Sequence, residues 1–141
     1  MPDIFVSNSQ SNTVSELNGL GQGFFNDQTP RIFDVGTDPG PLFVGNFDGR
    51  AGLDLVPVTA GSNDLTLLSN FAIRLDISTG GLLPVAAATG DYNKDGIGDL
   101  LVTNNGSGGR WGFQGGTGSS LRSSSIFTPA RCASVRTPVK R

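Results

Sequence analysis

Apolar positions along this chain come in short runs broken by turn-forming residues. D-I-F-V-S-N (Asp3 to Asn8) and D-L-L-V-T-N (Asp99 to Asn104) are nearly continuous apolar runs, the pattern of strands buried on both faces. T-V-S-E-L and L-T-L-L alternate more, as half-buried strands do. Pro41 and Pro84 each precede a further short run, L-F-V and V-A-A-A. Asn18-Gly19 and Asn105-Gly106 suit tight hairpin turns, because both residue types tolerate positive φ. The pattern predicts an all-β chain of short strands.

The runs repeat. Asp54 to Thr59 aligns with Asp99 to Asn104 at a spacing of 45, and upstream Gly45-Asn46-Phe47-Asp48 falls on Gly90-Asp91-Tyr92-Asn93 without a gap. Asp3 to Asn8 is a further copy. S-N-T-V-S-E-L begins eight residues after Asp3, and S-N-D-L-T-L-L begins eight after Asp54. F-D-V-G-T (Phe33 to Thr37) echoes L-D-I-S-T (Leu75 to Thr79). Four short strands in about 45 residues is the arithmetic of a propeller blade. The expected organisation is repeat 1 over 1–44, starting inside a loop, repeat 2 over 45–89, a partial repeat 3 over 90–118, and a weakly ordered Ser/Arg-rich tail over 119–141.

The segment before the third copy's strand, G-D-Y-N-K-D-G-I-G-D-L, carries a donor set for a hard cation. Calcium takes six to eight oxygen ligands, from carboxylates, amides, carbonyls and water. Asp91, Asn93 and Asp95 alternate, so a curled loop can turn their oxygens inward; Gly96 permits the turn, the Ile97 carbonyl adds an oxygen, and Asp99 closes the set. An EF-hand would need Glu at its twelfth position, where this chain has Val102 in an apolar strand. The expectation is a strand-flanked Ca2+ loop, against the plainer reading of a polar turn. In the second copy the positions are Asn46, Asp48, Arg50 and Asp54, with Ala51 in place of Gly96. Metal binding is not expected there, and the Arg50 guanidinium is expected to neutralise Asp48 and Asp54 unless it is simply solvated. Phe47 and Tyr92 share a loop position and are expected to pack under it.

Composition agrees with short strands. The 141 residues include 21 Gly and 8 Pro, which disfavour long helices. No apolar run approaches the ~20 residues of a membrane-spanning helix, and M-P-D-I-F-V-S-N does not read as a signal peptide. Cys132 is the only cysteine, so no intrachain disulfide forms. The chain has no histidine, which excludes a His-based triad or a His-ligated zinc within it. All 12 acidic residues lie between Asp3 and Asp99 with four bases, leaving −8, whereas six bases and no acids follow Asp99. Dispersed bases without interleaved aromatics read as a solvated tail rather than a nucleic-acid arm.

Other features carry less. The Gly-rich stretch from Gly106 to Ser120 lacks the G-K-[ST] ending of a phosphate loop and reads as a hairpin. Trp111 suits either a sugar platform or the core, with core favoured. Asn105-Gly106-Ser107 fits a glycosylation acceptor in a eukaryotic secretory setting. The carboxylates repeat with the structural period, so no general acid and base pair stands out.

D-x-N-x-D-G-x-x-D-L-L-V in the third copy, with S-N-T-V-S-E-L-N-G-L-G-Q-G-F-F in the first, resembles the FG-GAP/VCBS-type repeat of bacterial surface proteins and, more distantly, of integrin α-subunit heads. The resemblance, over residues 3 to 118, implies about three blades of a β-propeller in four-stranded antiparallel sheets, an incomplete ring, and calcium in a hairpin loop. It further implies a non-catalytic, secreted or cell-surface scaffold for recognition or adhesion, with a protein or glycan ligand and no nucleic acid. Self-association is one way to complete the ring. A carbohydrate-binding module, or an accessory segment of a larger secreted enzyme, is the alternative.

Overall fold

In a computed structural model describing residues 1–106, 110–115 and 122–124, thirteen strands and no helix are present. In chain order they are β1 (Ile4–Asn8), β2 (Thr13–Leu17), β3 (Gly19–Gly21), β4 (Phe24–Phe25), β5 (Arg31–Asp34), β6 (Pro39–Gly45), β7 (Asp54–Thr59), β8 (Asp64–Ser69), β9 (Ile73–Ser78), β10 (Pro84–Gly90), β11 (Asp99–Asn104), β12 (Arg110–Gln114) and β13 (Arg122–Ser124). They form three antiparallel sheets, β1-β2-β5, β6-β7-β8-β9 and β10-β11-β12-β13, with a side hairpin β3-β4. The all-β blade arrangement expected from the repeats is present. No helix among the described residues is long and apolar enough to cross a membrane.

The sheets divide the chain differently from the repeat boundaries at 44/45 and 89/90. The run before each loop, β6 or β10, pairs with the strand after that loop, so each loop closes a hairpin within one sheet. Among the described residues sheet 1 has three strands, β1, β2 and β5, with no counterpart of β6. Asn18-Gly19 is not a hairpin turn; Gly19 opens β3, and the turn of the side hairpin lies at Gln22 and Gly23. β13 falls within the stretch assigned to the tail. Its Ser-rich sequence gives no apolar period, and it is held by backbone pairing with β12. The rest of the tail, with Cys132, lies outside the described residues.

Sheet 2 is covered on both sides, so β7 is buried at every position. Val56 pairs with Phe43, and Val58 with Leu65, so these side chains share one face and pack with Leu100, Val102 and Ala87 of sheet 3. Leu55 and Leu68 share the opposite face and pack with Val14, Phe33 and Phe5 of sheet 1. Phe71 joins this second cluster, stacked on Phe5 with ring centroids 5.3 Å apart. Arg31 ties the same junction, lying 3.7 Å from Glu16 and donating to the Phe71 carbonyl at 2.6 Å. Pro57 is unusual in a central strand, since it has no N–H for the ladder. Pairing of β7 with β8 is accordingly regular at Leu55 and at Val58–Thr59, but not at Pro57.

The repeated S-N segment has a structural reason. Asn12 and Asn63 each turn their chain with positive φ, 58° and 60°, a conformation Asn tolerates. Each also anchors the linker to the next sheet. The Asn12 carbonyl accepts from Val35 N and its Oδ1 from Asp38 N. The Asn63 carbonyl accepts from Thr79 N and its Oδ1 from Leu83 N. Asn63→Ala removes the side-chain acceptor and strains the turn. It is expected to lower stability by about 1–2 kcal/mol in urea denaturation.

The outer strand β9 carries Arg74 and Asp76 in a bidentate pair, its shortest contact 2.7 Å. Charged side chains on an edge strand discourage pairing with another chain. Desolvation alone would raise the Asp76 pKa, but hydrogen bonds from Arg74 and Thr66 together hold it below the ordinary carboxylate value.

Candidate functional site

β10 and β11 hold the loop from Asp91 to Asp99 between them, closed by the Gly90–Asp99 pair at its base. Lys94 and Gly96, at φ 62° and 86°, supply the left-handed positions that curl it. Its carboxylates are turned onto the loop's own backbone. Asp91 accepts from Asp95 N at 3.0 Å through Oδ1 and from Gly96 N at 2.9 Å through Oδ2. Asn93 Oδ1 also accepts from Asp95 N at 3.0 Å. Asp95 accepts from Ile97 N at 2.8 Å and from Asn93 Nδ2 at 2.9 Å.

Asp91, Asn93 and Asp95 are exposed, whereas Asp99 is buried. Asp99 Oδ2 accepts from Tyr92 N at 2.7 Å and Asn93 N at 3.2 Å, and Oδ1 accepts from Gly115 N at 2.8 Å. A carboxylate oxygen has two lone pairs. Asp99 Oδ2 is therefore fully used, while among the described residues Asp99 Oδ1 and the side-chain oxygens of Asp91, Asn93 and Asp95 each accept one bond and retain a further acceptor position. No three acidic side chains among the described residues converge into a metal-holding group. The all-oxygen donor set, with the Ile97 carbonyl beside it, fits a hard dication in chemistry.

The role of the final Asp recurs in all three sheets. Asp3 Oδ1 accepts from Gly19 N, Asp54 Oδ1 from Asn70 N, and Asp99 Oδ1 from Gly115 N, in each case 16 residues on. Asp54 Oδ2 also accepts from Phe47 N at 2.8 Å, as Asp99 Oδ2 does from Tyr92 N. This carboxylate bonds the loop to the far end of the following hairpin. Sequence reasoning assigned Asp99 as a ligand and missed this clasp. The partner is a backbone amide, so only the constant offset could have revealed it.

The second loop is organised without the alternating carboxylates. Asn46 bridges it, donating to the Arg50 carbonyl at 2.7 Å and accepting from Gly49 N at 2.8 Å. Asp48 is fully buried and accepts from Arg50 N at 2.9 Å and Ser69 Oγ at 2.6 Å. The Arg50 guanidinium approaches Asp48 at 3.9 Å, a loose pair. The expected neutralisation thus reaches Asp48 only. Asp54 is engaged instead by the amides of Phe47 and Asn70.

Phe47 and Tyr92 sit alike over Gly45 and Gly90, where a Cβ would lie 3.0 Å and 3.2 Å from the ring. Their surroundings differ. Phe47 is 2% exposed and covered by sheet 3, whose Gly98 donates its N–H to the Asn46 carbonyl at 2.9 Å. A Cβ at Gly98 would stand 3.0 Å from both that carbonyl oxygen and the Phe47 ring, so glycine is needed for the approach. Tyr92 is 55% exposed and does not pack beneath its loop as expected, because no sheet covers it among the described residues. Trp111 lies on β12 in register with Val102. Asn105-Gly106 follows β11, and Ser107 lies outside the described residues.

Residues 83–120, spanning the loop and most of sheet 3, match the FG-GAP repeat family. No curated protein and no solved structure matches the chain. The family match is to residues 83–120, 38 of the chain's 141 residues, and there the chain is similar to an FG-GAP repeat.

Proposed function

We propose that this chain is a non-catalytic propeller segment of a secreted or cell-surface recognition scaffold, and that the loop from Asp91 to Asp99 binds Ca2+. The observation that carries the calcium reading is the contrast between sister loops. Both are closed by the same buried Asp, yet only the third adds Asp91, Asn93 and Asp95 on an exposed, curled loop with acceptor positions left over. Those three side chains and the Ile97 carbonyl would hold the ion, with Asp99 anchoring the loop and offering Oδ1. Bound calcium would offset the mutual repulsion of the carboxylates and stiffen the hairpin between β10 and β11. Its role is structural.

The test is thermal unfolding in calcium, in magnesium and in chelator. A ligand at a hundredfold excess over its Kd stabilises by about 2.7 kcal/mol, so calcium is expected to raise Tm by several degrees. Magnesium is expected to do far less, because it prefers a tighter octahedral shell. Asp95→Asn is expected to abolish most of the calcium response while leaving the melt in chelator unchanged. An unchanged Tm between calcium and chelator in the parent chain would sink the metal reading.

A further inference from the structure

The chain holds two Asn-Gly steps, Asn18-Gly19 and Asn105-Gly106. Such a step is chemically weak, because the glycine N can attack the side-chain Cγ of the asparagine before it. Glycine leaves that approach unhindered, having no Cβ and a wide choice of backbone angles. The fold controls two requirements of the reaction. The asparagine side chain must be free to swing onto the backbone, and the glycine amide must be free of other bonds.

The two steps differ in how the backbone is held. Asn105 N and Gly106 N donate to the carbonyls of Leu83 and Leu82 at 2.8 Å and 2.9 Å, so consecutive backbone bonds fix that step. It is also closely covered, since a Cβ at Gly106 would lie 3.0 Å from Leu82 Cβ. Asn18 is exposed, and its side chain makes no hydrogen bond among the described residues. Gly19 N donates to Asp3 Oδ1 at 2.8 Å, and Asp3 is itself exposed. This is the clasp of sheet 1, and unlike those at Asp54 and Asp99 its carboxylate is not buried. A single exposed hydrogen bond opens locally far more often than paired backbone does.

We propose that Asn18 is a site of spontaneous deamidation, with the Asp3 clasp setting its rate. When the clasp opens, Gly19 N gives its proton to solvent and bonds to Asn18 Cγ. The side-chain nitrogen leaves as ammonia, and a cyclic succinimide joins the two residues. One water then opens the ring at either carbonyl. One product has Asp at position 18; the other has isoaspartate, in which the main chain runs through the former side chain.

The second product alters the fold locally. It lengthens the main chain between positions 18 and 19 and turns the Asn18 carbonyl into a free carboxylate. That carbonyl accepts from Asn26 N at 2.9 Å and closes the base of the β3-β4 hairpin. The hairpin base and the first clasp are therefore displaced together, with a new negative charge beside Asp3. The inference rests on the clasp geometry and not on the calcium reading.

Peptide mapping by mass spectrometry, on the full chain incubated at mildly alkaline pH in chelator, tests it. Conversion at Asn18 is expected to run several-fold faster than at Asn105, with isoaspartate the larger product. Asp3→Ala is expected to speed Asn18 several-fold further and to leave Asn105 unchanged. General unfolding would free both steps, so Asn105 in the same sample tells loss of the clasp from loss of the fold. Asn18→Gln is expected to remove the conversion at that position, because the longer side chain closes its larger ring far more slowly. Equal rates at the two steps, or an intact Asn18 beside a converted Asn105, overturn the proposal. So does an Asp3→Ala chain that leaves the Asn18 rate unchanged or speeds both steps alike.

Discussion

Phe47→Ala is expected to lower the unfolding free energy by about 3–5 kcal/mol, the range for deleting a buried aromatic ring, as read by urea denaturation. Phe47 fills the junction where sheet 3 meets sheet 2, between Gly45 on one side and Gly98 on the other. Its removal opens a cavity that those two glycines, having no side chains, cannot refill. Tyr92→Ala removes a ring of similar size from the same position one repeat later. It is expected to change stability by less than about 1 kcal/mol, because an exposed ring leaves no cavity. Equal effects of the two substitutions would contradict the stacking order of the sheets.

Asp54→Ala is the second large effect. The Asp54 carboxylate is buried and accepts from Phe47 N and Asn70 N. Hydrogen bonds to a charged acceptor contribute about 1.5–3 kcal/mol each, and a buried donor left without a partner costs about 1–3 kcal/mol. A loss of about 2–4 kcal/mol is expected for Asp54→Ala, since some relaxation and hydration offset the sum. Asp99→Ala is expected to do the same in sheet 3, and its loss must persist in chelator. Asp95→Ala removes two exposed hydrogen bonds within the loop, so it is expected to cost little in chelator and more when calcium is present. This difference separates the clasp from the ligands: if chelator erases the effect of Asp99→Ala, Asp99 acts through the metal and not through the backbone amides.

The repeat was legible because its markers are side chains with fixed jobs. Asp54 and Asp99 open β7 and β11, Asp3 directly precedes β1, and Asn12 and Asn63 recur because each combines a left-handed turn with a linker anchor. Asp91, Asn93 and Asp95 stand out in the sequence by their alternation, but not their bonds to the loop's own backbone. What was not legible depends on backbone or on neighbours. The clasp joins Asp to amides of Gly19, Asn70 and Gly115, and an amide leaves no mark on residue type. The sheets are offset from the sequence repeats because a repeat has period but no phase, so the residues alone do not assign β6 and β10 to the loop ahead of them. β13 was missed because three residues, Arg-Ser-Ser, carry no apolar signal. Tyr92 was misplaced because burial at that position is decided by the next sheet and not by the loop itself.

The clasp has a practical consequence. Each hairpin is latched at its base by a carboxylate and an amide that belong to the scaffold, and the residues between β10 and the latch take no part in that closure except through Tyr92 N and Asn93 N. The segment from Lys94 to Ile97 is thus a natural grafting site. Foreign recognition loops inserted there would inherit a fixed, rigid stem, so a binding protein built on this chain could change its target without redesign of its core.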